Sequence, residues 1–207
     1  MSPTLKTPSA TLDGTPVELF ANIELPEDLG DVQESGAQGV GLFRTEFLFM
    51  NRDGRLPDEE EQFAAYRAAV QAMKGLPVTI RTVDIGADKP LERSAANDSR
   101  HDHMLNPALG RRAIRWSLSE PAMFRAQLRA ILRAAAFGPV KLLVPMLSHI
   151  NEIRATLECI TRAREQLRAA GTPFGEVPVD RRALAAQGAL QTAARLQGLD
   201  AMKRLAG

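Results

Sequence analysis

The sequence predicts an α/β fold of the parallel (β/α) TIM-barrel type, truncated to roughly the first half of a barrel. Short apolar runs alternate with longer amphipathic segments, which is the order of a parallel sheet with right-handed crossovers. The runs show little polar alternation, which favours strands buried on both faces. Four strand–helix units are about half of the eight in a full barrel, which needs ~250 residues, and the chain has 207.

The composition is that of one globular domain, with 44% hydrophobic and 25% charged residues. The formal net charge of +1 gives no electrostatic reason to expect nucleic acid or an acidic membrane as a partner. The single cysteine, Cys159, excludes an internal disulfide and fits a cytoplasmic location. No apolar run reaches the ~18 residues of a membrane span, and no signal-peptide pattern is present.

The amino-terminal part of the chain contains two strand signals. Residues 1–13 are rich in Pro, Ser and Thr and predict a linker or a cut edge before the partial barrel of residues 14–179. Residues 17–23 alternate loosely and predict the first strand, and residues 26–37 predict the first helix. The apolar run 39–46 opens on a glycine and predicts the second strand.

Start and stop signals predict the second helix. Asp58 is a suitable cap, the acidic residues 59–61 complement the positive end of a helix, and Gly75 ends the segment. The β-branched run 77–85 then predicts the third strand.

The second half of the chain continues the alternation. A polar loop of residues 86–106 leads to a helix that begins near Pro107, and a second helical segment spans residues 120–136. Residues 140–147 predict the fourth strand, and residues 151–170 predict the helix after it.

The end of the chain differs in character. Residues 175–179 resemble the start of a fifth strand. Residues 180–207 are rich in Ala, Leu, Gln and Arg and predict a divergent helical tail. A frameshift, gene decay and a functional replacement helix all remain open as explanations of that tail.

Two arginines mark the candidate site. Arg44 lies near the end of the second predicted strand, and Arg81 lies on the third, each followed by a threonine. Ligands bind at the carboxyl ends of parallel strands, so two guanidinium groups there predict one anion held by forked hydrogen bonds. The alternative is that these arginines are plain ion-pair partners of carboxylates such as Glu46 or Asp84.

Other polar residues give weaker signals. His101 and His103 flank an aspartate, but no third ligand lies at a useful spacing for a metal site. His149 follows the fourth predicted strand and is more typical of a cap or loop residue than of a ligand. Trp116 and the stripe from Phe124 to Leu132 predict core packing.

Five blocks of sequence carry a family resemblance. They are GVGLFRTEFLFM at 39–50, EEEQF with the following Tyr66, RTVDIGADK at 81–89, NPALGRRAIR at 106–115, and QLRAILRAAAFG at 127–138. In this order they resemble enzyme I of the bacterial phosphoenolpyruvate:sugar phosphotransferase system, over roughly residues 16–179. The similar region is the carboxyl-terminal barrel of the phosphoenolpyruvate/pyruvate-binding superfamily.

The resemblance implies a substrate and a set of site residues. Arg44, Arg81 and Arg112 match family arginines that hold the phosphate and carboxylate of phosphoenolpyruvate, although Arg111 and Arg115 compete with Arg112 for that match. The implied activity is that of phosphoenolpyruvate-protein phosphotransferase, a kinase-like enzyme of sugar transport. It passes the phosphoryl group to a histidine domain and on to the carrier HPr, with magnesium as cofactor.

Several family motifs are not found in this sequence. The glutamate and aspartate that hold Mg²⁺ in the family lie in Glu-Thr/Ile-Pro-Ala-Ala and Gly-Thr-Asn-Asp-Leu, the acid in Cys-Gly-Glu, and the phosphoacceptor in Ser/Thr-His-Ala-Ala. We therefore expect no catalytic and no metal-binding residue in this chain, and no activity of the chain alone. The alternative function is a catalytically inactive phosphoenolpyruvate-binding or enzyme I-associating remnant.

A half barrel also predicts unsatisfied edges. The first and fourth strands would each lack a neighbour on one side, and such edges recruit another chain or aggregate. We expect self-association, with the tail covering part of the exposed apolar surface.

Overall fold

The computed structural model describes residues 9–50, 52, 55–85 and 110–178. In this part, four strands form one parallel sheet in the order β1-β2-β3-β4. The strands are β1 Ala21–Ile23, β2 Val40–Arg44, β3 Val78–Arg81 and β4 Val140–Leu143. The helices are α1 Leu29–Ser35, α2 Glu59–Ala72, α3 Ala113–Ser119, α4 Pro121–Ala134 and α5 Ile150–Ala169. The predicted alternating α/β fold with a parallel sheet is confirmed.

Some predictions fall on residues outside the described part. The predicted loop 86–106, the helix start near Pro107 and the tail 180–207 all lie there. α3 is described from Ala113 onward. None of the helices in the described part has the length and apolar character needed to cross a membrane.

The first strand is shorter than predicted. β1 covers three residues, whereas residues 17–23 were expected. Upstream, Pro16 pairs with Ala10 in an isolated antiparallel bridge, and the Val17 amide donates to the Ser9 carbonyl at 2.8 Å. These bonds hold residues 16 and 17 to the preceding segment, and the ladder with β2 begins at Ala21.

The second, third and fourth strands also end earlier than their apolar runs. β2 stops at Arg44, and Thr45–Leu48 form one turn of 3-10 helix. Thr45 and Glu46 lie in this turn and not on the strand, and both are buried. The predicted fifth strand is wrong over residues 175–178, where the chain is irregular and the Gly175 amide donates to the Leu132 carbonyl at 3.0 Å.

The helix caps follow the start signals. Asp58 accepts a hydrogen bond from the Glu61 amide at 2.9 Å, and the Glu61 side chain accepts from the Asp58 amide at 2.9 Å, which forms a complete capping box. His149 caps α5, because its Nδ1 accepts from the Asn151 amide at 3.1 Å.

The core lies on one face of the sheet. Side chains of β2 and β3, including Val40, Phe43 and Ile80, pack against α2, α4 and α5. On the opposite face Asn22, Lys141 and Leu143 are exposed. The expectation of strands buried on both faces is therefore wrong, since alternate strand residues point away from the helices.

A second, smaller apolar cluster lies below the carboxyl ends of the strands. Its buried members are Phe49, Val83, Ile85 and Met123, and Trp116 packs against them. The cluster therefore supports the segments that follow β2 and β3, which carry the candidate site. The sequence-based placement of Trp116 in the core is accordingly correct, although its side chain is half-buried.

Candidate functional site

The two strand-end arginines are direct neighbours. Arg44, the last residue of β2, is in register with Arg81, the last residue of β3. Side chains at paired positions of adjacent strands project from the same face, and the strands lie about 4.8 Å apart. The structure thus brings together the two cations that the sequence pattern singled out.

Arg44 is held by a carboxylate that the sequence analysis did not consider. Its Nη1 donates to Glu24 Oε1 at 2.7 Å. Glu24 directly follows β1, so it reaches the same edge of the sheet from the neighbouring strand. Both side chains keep contact with solvent, with 38% of Arg44 and 43% of Glu24 exposed.

Arg81 is held by two carboxylates in a more buried setting. Its Nη2 donates to Glu46 Oε1, and its Nη1 lies 3.7 Å from Asp84 Oδ2. The Glu46 side chain is 3% exposed and that of Arg81 is 19% exposed. The second oxygen of Glu46, Oε2, is buried without a hydrogen-bond partner among the described residues.

Asp84 joins Arg112 to this group. Its Oδ1 accepts from Arg112 Nη2 at 3.1 Å, while its Oδ2 faces Arg81. Arg112 occupies the cap position of α3. The next residue, Ala113, is buried with φ of +50°, a conformation that L-residues rarely adopt and that often accompanies functional sites.

The structure separates Arg112 from its two competitors. Arg111 is exposed and donates to Ser119 Oγ at 2.7 Å. Arg115 donates to the Gly110 carbonyl at 3.2 Å, and its Nε lies 3.7 Å from Glu152 Oε1. Of these three arginines, Arg112 contacts Asp84, the carboxylate that also faces Arg81.

The formal charges of the side chains at the candidate site cancel. The three arginines Arg44, Arg81 and Arg112 face three carboxylates, those of Glu24, Glu46 and Asp84. An incoming anion therefore either replaces a carboxylate or binds N–H groups of a guanidinium that its carboxylate partner leaves open. Glu24 is the carboxylate most easily replaced, because it is the most exposed of the three.

A buried hydrogen-bond network lies behind the arginines. The Thr45 hydroxyl donates to the Arg81 carbonyl at 2.8 Å and accepts from Gln127 Nε2 at 3.1 Å. Gln127 also donates to the Tyr66 hydroxyl at 3.2 Å and accepts from the Val83 amide at 3.1 Å. Burial is the main cause that raises the pKa of Tyr66 well above its usual range, so its phenol stays protonated.

Sequence reasoning did not assign a role to this network. Gln62, Tyr66 and Gln127 stood in the family-like blocks but were not considered as site residues. A signal was available, because Gln62 and Gln127 are polar residues on helix faces that are otherwise apolar, and both are fully buried. A buried amide needs partners, which the network supplies.

The described residues do not form a metal-binding site. Among them, no group of three or more His, Cys, Asp or Glu side chains is placed to hold one. Glu46 and Asp84, the two carboxylates that contact Arg81, are engaged by arginine side chains. These residues do not fit the ligand set of Mg²⁺.

Comparison with known proteins decides the family. Residues 2–178 match the model of the PEP-utilising enzyme, PEP-binding domain. The chain belongs to this family. Its sequence corresponds to a fragment of the PEP-binding domain of enzyme I, phosphoenolpyruvate-protein phosphotransferase, as the resemblance implied.

Curated relatives from several bacteria are phosphoenolpyruvate-protein phosphotransferases. The phosphoenolpyruvate-protein phosphotransferase of Cupriavidus necator is 62% identical over 168 residues, which is 81% of this chain and 28% of the relative. That of Staphylococcus carnosus is 48% identical over 163 residues, 79% of this chain and 27% of the relative. That of Listeria monocytogenes is 46% identical over 164 residues, 79% of this chain and 28% of the relative.

The chain therefore spans little more than a quarter of the length of the relatives it matches. The four-stranded parallel sheet is consistent with part of a PEP-utilising barrel domain. The family relates this chain to the PEP-binding domain of enzyme I.

Proposed function

We propose that this PEP-binding domain binds phosphoenolpyruvate at the carboxyl edge of the sheet, through Arg44, Arg81 and Arg112. The observation that supports this most is the register of Arg44 with Arg81, together with the bridge from Arg81 through Asp84 to Arg112. Phosphoenolpyruvate carries a phosphate and a carboxylate on a small frame. Guanidinium forks on two neighbouring strands and one helix cap suit two anionic groups that lie close together.

In this proposal the three arginines bind different anionic groups of phosphoenolpyruvate. Arg44 and Arg81 take the phosphate, because they are adjacent, and Arg112 takes the carboxylate from the α3 side. Displacing Glu24 costs little, since an exposed ion pair is worth about 0–1 kcal/mol. Glu46 remains in place below Arg81 and keeps its guanidinium oriented.

Phosphoryl transfer is the reaction proposed for the whole phosphotransferase, with a histidine as acceptor and HPr as the next carrier. For transfer, planar guanidinium groups offset the charge that moves from the phosphate toward the leaving oxygen. Magnesium would supply further charge neutralisation, but the described residues do not fit its ligand set. We therefore expect this chain alone to bind phosphoenolpyruvate without transferring its phosphoryl group.

A titration tests the binding proposal. We expect millimolar affinity for phosphoenolpyruvate, a free energy on the order of 4 kcal/mol, by NMR or calorimetry without added metal. Arg44→Gln should abolish most of that binding. Arg154→Gln, which removes the same charge from an exposed position of α5, is the matched control and should bind as the wild type does. Equal affinity of wild type and Arg44→Gln would contradict the site.

A second experiment separates a binding module from an enzyme. The purified chain is incubated with labelled phosphoenolpyruvate, Mg²⁺ and HPr, and acid-labile protein-bound label is counted. We expect none above background, in agreement with the alternative of a catalytically inactive remnant. Labelled protein would show that the chain supports transfer by itself.

The open edges of the sheet support self-association as a further part of the proposal. β1 and β4 are the outer strands of the described sheet. Leu143, at the end of the outer strand β4, is 37% exposed. An apolar side chain on an outer strand favours pairing with a second copy of the chain.

A further inference from the structure

The sequence presents two equivalent Arg-Thr pairs, Arg44-Thr45 and Arg81-Thr82, but the structure gives their threonines different environments. Both threonines are completely buried. The Thr45 hydroxyl makes two hydrogen bonds, whereas the Thr82 hydroxyl has no partner among the described residues. The first hydroxyl is thus part of a network, and the second is not.

The Thr45 hydroxyl connects the ends of the two arginine-bearing strands. It follows Arg44 directly and donates to the carbonyl of Arg81 itself, at 2.8 Å. Beyond Arg44 and Arg81 the ladder of β2 and β3 has ended. This side-chain bond therefore continues the pairing of the two strands at the point where their arginines project.

Gln127 fixes the direction of that bond. Its Nε2 donates to Thr45 and to Tyr66, and its Oε1 accepts from the Val83 amide. Reversing the amide would place Nε2 against the Val83 N–H, two donors facing each other, so one orientation is enforced. Because Thr45 receives the Gln127 donor, its own hydrogen must point to the Arg81 carbonyl.

The rest of the network holds Gln127 in turn. The Tyr66 hydroxyl donates to Gln62 Oε1 at 3.1 Å, and Gln62 Nε2 donates to the Pro57 carbonyl at 3.1 Å. Gln127 of α4 thus donates in two directions. One path runs through Thr45 to the Arg81 carbonyl, and the other runs through Tyr66 to Gln62 on α2. Rigid helices rather than loops determine where these ends lie.

We propose that Thr45 and Gln127 are positioning residues of the anion site, which set the spacing of the Arg44 and Arg81 guanidinium groups. This inference rests on the proposed function, because it concerns the geometry of that same site. Neither residue contacts the ligand in this proposal; both act through the backbone of β2 and β3.

The chain offers a matched set of variants. Thr45→Val keeps the shape of the side chain and removes the hydroxyl, and Thr45→Ser keeps the hydroxyl and removes a methyl group. Thr82→Val makes the same change as Thr45→Val at the equivalent position of the other pair. The affinities of these variants are compared in samples that contain the same fraction of folded protein. Circular dichroism measures that fraction in each binding sample.

Affinity for phosphoenolpyruvate is the first readout. We expect Thr45→Val to bind at least fivefold more weakly than the wild type, and Thr45→Ser and Thr82→Val to bind within twofold of it. Gln127→Leu should match Thr45→Val. Wild-type affinity in a folded Thr45→Val would overturn the inference, as would equal losses in Thr45→Val and Thr82→Val.

The second readout needs no ligand and separates this inference from the proposed function. With ¹⁵N-labelled arginine, Thr45→Val should move the Nε–Hε signal of Arg81, which is 36 positions away in sequence, and Thr45→Ser should restore it. An unmoved Arg81 signal overturns the inference even if phosphoenolpyruvate binds. A wild type that does not bind overturns the proposed function, and the Arg81 signal then still decides whether Thr45 positions that arginine.

Discussion

Arg81 and Glu46 form an ion pair that is almost entirely withdrawn from water, whereas the neighbouring pair of Arg44 and Glu24 is open to it. The side chains of the first pair are 19% and 3% exposed, and those of the second are 38% and 43% exposed. The two arginines are adjacent on the sheet, so the difference arises from their carboxylates. Glu46 lies on the buried turn after β2, and Glu24 lies on the surface after β1.

Removing the Arg81 side chain should therefore lower the free energy of unfolding strongly, whereas removing the Arg44 side chain should change it little. Arg81→Met leaves Glu46 buried without its cation, a change worth about 3–5 kcal/mol of unfolding free energy. Arg44→Gln should cost no more than about 1 kcal/mol. Urea unfolding measures the change in unfolding free energy for both variants.

The double variant Arg81→Met with Glu46→Gln is the control for that cause. It removes the orphaned charge, so we expect it to recover much of the stability that Arg81→Met loses. Equal losses in Arg44→Gln and Arg81→Met would show that the burial of Glu46 does not govern the energetics. For the same reason Arg44→Gln is the sounder variant for binding studies.

Glu24 should weaken anion binding, since it occupies Arg44. Glu24→Gln frees the guanidinium group, and we expect affinity for phosphoenolpyruvate to rise about two- to fivefold, as the loss of an exposed pair implies. Calorimetry measures the change. Glu27→Gln removes the same charge from a nearby exposed position and should have a smaller effect. If both variants raise affinity equally, Glu24 acts only through net charge.

The amino-terminal end of α2 should contribute less to the stability of the fold at low pH. The Asp58 amide, followed by Arg52 and Arg55, lowers the pKa of Glu61 to about 2. An unfolded glutamate titrates near 4.3, so the ionised carboxylate stabilises the folded state fully above that pH. This contribution is lost as the pH falls from about 4.3 toward 2.

Unfolding measured between pH 6 and pH 2 tests this linkage. Glu61→Gln should flatten the acid dependence of stability in that window, whereas Glu34→Gln, at an exposed position of α1, should leave it unchanged. An acid dependence that is identical in wild type and Glu61→Gln would refute the role of this capping box.

Light scattering should detect self-association at micromolar concentration. We expect a mass above that of one chain, and a further increase when residues 181–207 are removed. Leu143→Lys places a charge at the exposed end of β4 and should reduce association, because edge lysines oppose strand pairing. A monomer in both the complete and the shortened chain would show that the edges are satisfied in another way.

Local sequence patterns were sufficient to predict the alternation of elements, one helix cap and the meeting of two arginines. Apolar periodicity predicted the alternation of strands and helices, and the acidic start after Asp58 predicted a capped helix. The Arg-Thr pairs predicted that two cations would meet at one edge of the sheet. These features follow from the sequence because each depends on neighbouring residues or on the general rules of parallel sheets.

Tertiary structure alone decided the partners and the limits of these elements. It assigned Glu24 rather than Glu46 to Arg44. It also gave the Thr45 hydroxyl two hydrogen bonds, whereas the Thr82 hydroxyl has no partner within the described part of the chain. It also shortened β1 and exposed one face of the sheet. Such outcomes depend on side chains that lie 20 to 82 positions apart, as Arg44 and Glu24 or Thr45 and Gln127 do. A local sequence pattern carries no information about which of these side chains form pairs. The packing of the helices against the sheet determines those pairs.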